Sequence, residues 1–110
     1  MIFGKKSGWD GEIDVSSFDF LANASEFARL WNEEGEGLTA IIEPRGLAPD
    51  PFVFGMAMVD TIRHAAKAYA HAVQIPEEDA LARIWEGFEA ERDNPTDTPQ
   101  QIDPDSGEAI

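Results

Sequence analysis

Apolar and polar positions change rhythm along the chain, and each change marks an element. Residues 1–23 mix Gly, Ser and Asp with isolated aromatics (Phe3, Trp9, Phe18, Phe20) and follow neither a helical nor an alternating period, so they read as an N-terminal arm. Alternation then begins. Phe27, Arg29 and Trp31 fall on one side of a strand, Ala28 and Leu30 on the other, although the composition of residues 24–32 also tolerates a helix. A second run, residues 38–43, carries the β-branched Thr39, Ile41 and Ile42 that suit a pleated surface. Between the two runs, Gly35 and Gly37 supply the positive backbone angles of a tight loop, and the pair predicts a β-hairpin.

The rhythm lengthens to 3.6 residues after Asp50-Pro51. Aspartate accepts hydrogen bonds from the orphan amides of a first helical turn, and proline at the first helical position has no amide to lose. A long central helix is therefore predicted from Pro51 to about Val73. Its polar stripe holds Asp60, Arg63, Lys67 and Gln74, with His64 and His71 at the edge. Phe54, Met58, Val59, Ile62, Ala65, Ala66, Tyr69, Ala72 and Val73 cover more than half the circumference, wider than one neighbouring element hides. Ile75-Pro76 ends this helix and starts another, roughly residues 77–93, whose apolar face is Leu81, Ile84, Trp85 and Phe88. Ala80 and Gly87 beside that face permit close backbone approach. Beyond Pro95 little remains to bury, and residues 94–110 read as a disordered acidic tail.

Composition sharpens this picture mainly by exclusion. Eight Lys and Arg against 22 Asp and Glu give a net charge of −14 in 110 residues, which leaves no surface for holding phosphates and argues against direct nucleic-acid binding. Without cysteine there are no disulfides, thiolate metal sites or cysteine nucleophiles. The longest apolar zone starts at Phe52 and is broken by Asp60, Arg63, His64 and Lys67, and the N-terminus lacks an uninterrupted apolar stretch. These features point to a cytoplasmic protein that does not insert into membranes. The charge is also unevenly placed: residues 51–75 hold one Asp and two cations, whereas residues 76–110 hold eleven acidic and two basic residues.

Candidate chemistry is sparse. Asp60 and His64 sit at i, i+4 and could form an acid/base or metal pair, but His64 and His71 lie about 10 Å apart along the axis, too far to share one ion. The plainer reading is a solvated helix face. Gly35-Glu-Gly37 lacks the third glycine of a dinucleotide fingerprint, Gly4-Lys-Lys-Ser7 lacks the strand of a phosphate loop, and no serine occupies a nucleophile elbow. Outward carboxylates on the second helix suggest a DNA mimic, except that Arg83 between Asp79 and Glu86 neutralises part of the row.

The series Asp50-Pro51, Gly55, Val59-Asp60, Arg63-His64 and Ala68-Tyr69-Ala70, then Ala82-Arg83-Ile84, Gly87-Phe88 and Asn94-Pro95-Thr96-Asp97, resembles a family of short bacterial proteins catalogued as a domain of unknown function. The resemblance spans residues 24–97. It implies a small stand-alone domain with this element order and adds no catalytic residue.

The expected fold is α+β: an antiparallel hairpin packed on a long central helix, with a second helix antiparallel to it, as one domain over residues 24–93. The uncovered helix face predicts a homodimer, with the hairpins joined into a four-stranded sheet, or another protein as partner. No metal or cofactor is expected. The expected role is a non-catalytic interaction or accessory module. The alternatives are a DNA-mimic inhibitor and a small-ligand enzyme using Asp60 and His64. Interaction candidates are Phe54, Met58, Ile62, Tyr69 and Trp85, with the polar edge Asp60, Arg63 and His64.

Overall fold

A computed structural model describes residues 10–98 and 100–110. Among these residues the fold is α+β: a three-stranded mixed sheet and two α-helices. Strand β1 (Ala28–Glu33) pairs antiparallel with β2 (Gly37–Ile42), in the register Ala28 to Ile42 through Glu33 to Gly37. The connecting loop is three residues long and closes with the Glu36 amide donating to the Glu33 carbonyl at 2.8 Å. Gly37 takes φ +82°, a left-handed conformation that favours glycine, and its open side faces the Asp97 carboxylate.

Helix α1 (Pro51–Val73) begins and ends where its signals placed it. The Asp50 carboxylate accepts from the Phe52 amide at 3.0 Å, and Pro51 fills the first turn. Gln74 leaves the helix in the left-handed conformation at φ 56°, and the Ile75 amide reaches back to the Ala70 carbonyl. Helix α2 (Glu77–Asp93) follows at once, with Glu77, Glu78 and Asp79 in the turn where the helix dipole favours anions. The two helices fold back on each other. Ala66 and Ala80 are the buried residues of the pair, and Lys67 reaches Glu77 at 3.1 Å.

The acidic tail is not uniformly disordered, which corrects the expectation for residues 94–110. Gln100–Ile102 forms strand β3, parallel to β2 and opposite Thr39 to Ile41. The chain then turns through Gly107 and returns, with Ala109 bridging to Ile102 and the Ile110 amide donating to the Gln101 carbonyl at 2.9 Å. Main-chain hydrogen bonds to the open edge of β2 do here what side-chain burial does elsewhere, so a segment poor in apolar residues is ordered without a hydrophobic signal. Asp105 adds a salt bridge to Arg45 at 2.7 Å. In the N-terminal arm, Asp19–Asn23 forms a short 3-10 helix behind the stacked rings of Phe18 and Phe20. Phe3 and Trp9 of the expected arm lie outside the described residues.

Sheet and helices meet over a narrow junction. Phe27 packs edge-on against Phe54 with ring centroids 6.2 Å apart, at the first turns of α1. The short 3-10 turn Pro44–Gly46 presses on the start of β1 so closely that a Cβ on Gly46 would stand 2.5 Å from the Glu26 carbonyl oxygen. Beyond that junction the sheet makes no close backbone approach to either helix among the described residues.

Candidate interaction surface

Only three hydrophobic residues are buried among the described ones, and each is an alanine: Ala40 (7% exposed) in β2, Ala66 (1%) in α1 and Ala80 (3%) in α2. Among the described residues no larger side chain is fully buried. The chain exposes 9021 Å², whereas the mass scaling of folded monomers gives about 6,000 Å² at this size. Many of its large apolar side chains are therefore exposed, from Ile13 (84%) in the arm to Phe52 (71%) on α1.

The sequence candidates distribute unevenly over this surface. Phe54, Met58 and Ile62 are half-buried, Phe54 through its contact with Phe27. Trp85 is half-buried and meets Phe88 edge-on at 5.4 Å, while Arg92 lies over the Phe88 ring. Tyr69 (57%) and Val73 (56%) stand open on α1. Phe52 (71%) and Met56, four residues apart on the same helix, are also exposed and were not among the candidates. Their i, i+4 spacing was the available signal. It was obscured because both lie towards the side that carries Arg63 and Lys67.

The polar edge is less organised than the spacing suggested. Asp60 bonds Arg63 at 3.3 Å, one turn along the surface, and His64 takes no part in that pair. All three are exposed. Among the described residues no group of three His, Asp or Glu could hold a metal ion, and no helix is long and apolar enough to cross a membrane.

On α2, Arg83 pairs with Glu86 at 3.2 Å, and Arg92 with Asp93 at the same distance. Glu91 accepts from the Thr96 amide at 2.8 Å and from its hydroxyl, which lowers the carboxyl below its ordinary range. A further cluster of charged hydrogen bonds lies at the sheet end. There the Arg45 side chain and amide both donate to Glu43, lowering that carboxyl, while Glu43 and Asp105 raise the guanidinium. Beside it a cleft of about 320 Å³, lined by Phe27, Ile42, Leu47, Pro49 and Phe54, opens at the junction of sheet and helix.

A family model described as a domain of unknown function (DUF5076) matches residues 19–96. The chain belongs to this family. The match covers the hairpin and both helices of the DUF5076 domain and stops before β3. A solved structure described as "a putative pyruvate dehydrogenase from the photosynthetic bacterium Rhodopseudomonas palustrus CGA009" is similar at 33% identity, with a TM-score of 0.58 over 84% of this chain and 93% of that one. No curated protein matches.

Proposed function

We propose that this DUF5076 chain is a non-catalytic protein-interaction module of the cytoplasm, whose core is completed by a second polypeptide. The observation that carries the reading is that, among the described residues, nothing larger than alanine is buried while Phe52, Tyr69 and Val73 stand exposed. Large apolar side chains left open on a helix are the usual mark of a surface that another protein covers. Catalysis would instead draw on a concave site with converging polar groups. The titratable groups of α1 are exposed, and the junction cleft is apolar apart from Glu43 and the backbone beside it. The dehydrogenase description of the structural neighbour finds no geometric support in these residues. A DNA mimic needs unpaired acidic rows, and the Arg83–Glu86 and Arg92–Asp93 pairs interrupt the row on α2.

Size separation of native cell extract under non-denaturing conditions tests the reading. The chain is expected in a species larger than its own 12.1 kDa. A free 12.1 kDa species that unfolds cooperatively would sink it.

A further inference from the structure

We infer that the partner is a second copy of this chain, docked along a stripe of α1 running through Met58, Ala65, Tyr69 and Ala72. The inference rests on the reading of the chain as an interaction module and names its partner and contact face.

Spacing on α1 separates two apolar stripes. Val59, Ala66 and Ala70 follow one line of the helix, and the burial of Ala66 and Ala80 marks this line as the one that meets α2. Met58, Ile62, Ala65, Tyr69 and Ala72 follow another, at successive steps of four, three, four and three residues. That repeat presents a continuous seam to one further helix. Its start is occupied, since Phe54 one turn earlier packs on Phe27. Its distal half is open: Tyr69 and Ala72 are exposed. Alanines on either side of Tyr69 allow a facing backbone to come close, and a ring seated between small residues suits an isologous contact in which each copy supplies both the ring and the gap.

Charge favours a copy of the same chain. Residues 51–75 carry one Asp and two cations in a chain of net −14, so α1 is the element on which two like-charged copies meet with least repulsion. A basic partner would be drawn to α2 and the tail, which hold eleven of the acidic residues, and away from this seam.

Sedimentation equilibrium of the purified chain at micromolar concentration is expected to give twice 12.1 kDa. Tyr69→Asp, at an exposed position, should weaken the dimer at least tenfold, whereas Phe20→Asp in the arm should not. A purified monomer overturns the inference; if extract still holds a larger complex, the interaction-module reading survives it, and if extract holds only monomer, both fall. A dimer indifferent to Tyr69→Asp overturns the contact face. Should that variant fail to fold, the absence of native cysteine permits a second readout. Maleimide labelling of Ala72→Cys is expected to run at least tenfold slower than that of Ala82→Cys on the exposed side of α2, and equal rates would overturn the placement.

Discussion

Glu43 concentrates several roles in one side chain. It closes β2, accepts from the backbone and side chain of Arg45, and through Arg45 is linked to Asp105 beyond β3. These bonds favour the ionised carboxylate, so its folded pKa lies below the ordinary 4.5. The contribution to stability is complete above the unfolded value and is lost as pH falls through the folded one. Glu43→Gln should therefore lower the urea midpoint at pH 7, and the gap to the wild type should narrow as pH falls below the ordinary 4.5 and through the lower folded value. A gap that stays the same size throughout the acid titration of the wild type would show that the carboxylate charge is not what holds Arg45. Little of this was visible in sequence, because Glu43 and Arg45 flank a proline and Asp105 is 60 residues further on.

Elements were legible in proportion to the strength of their terminal chemistry. Asp50-Pro51 and Ile75-Pro76 fixed both helices, because caps and prolines act locally and leave the chain few alternatives. The hairpin followed from its glycine loop and alternation. Strand β3 was illegible: its residues are Gln-Gln-Ile, and its order comes from the unpaired edge of a strand some 60 positions earlier, which no local pattern records. Parallel pairing of this kind places the middle of the sheet under the control of the tail, since Ala40 lies between β1 and β3. Removing residues 100–110 is thus expected to speed hydrogen exchange at the Ala40 amide, which faces β3, at least tenfold while leaving α2 amides unchanged. Equal protection in both chains would mean that β1 and the junction alone hold β2.

At the scale of the molecule, the breadth of the apolar face on α1 was readable from the wheel, but the division of that face was not. Which line meets α2 depends on how the 74–76 turn aims the second helix, and that is a property of three-dimensional packing. The strong acidity was readable too, and its placement now gives it a definite consequence. Two chains of net −14 that associate through a nearly neutral helix bring their acidic α2 surfaces and tails within range of each other. Such long-range repulsion is screened over a Debye length of about 10 Å at 0.1 M salt, and over much less at higher ionic strength. Raising salt from about 0.05 to 0.5 M should therefore tighten self-association several-fold, because the apolar contact is unaffected and the repulsion is removed. A complex with a basic partner would respond in the opposite direction, since screening weakens attraction between unlike charges. The dissociation constant measured by sedimentation across that salt series decides the matter. A dimer that loosens as salt rises would mean that unlike charges, and not the α1 seam, hold the copies together.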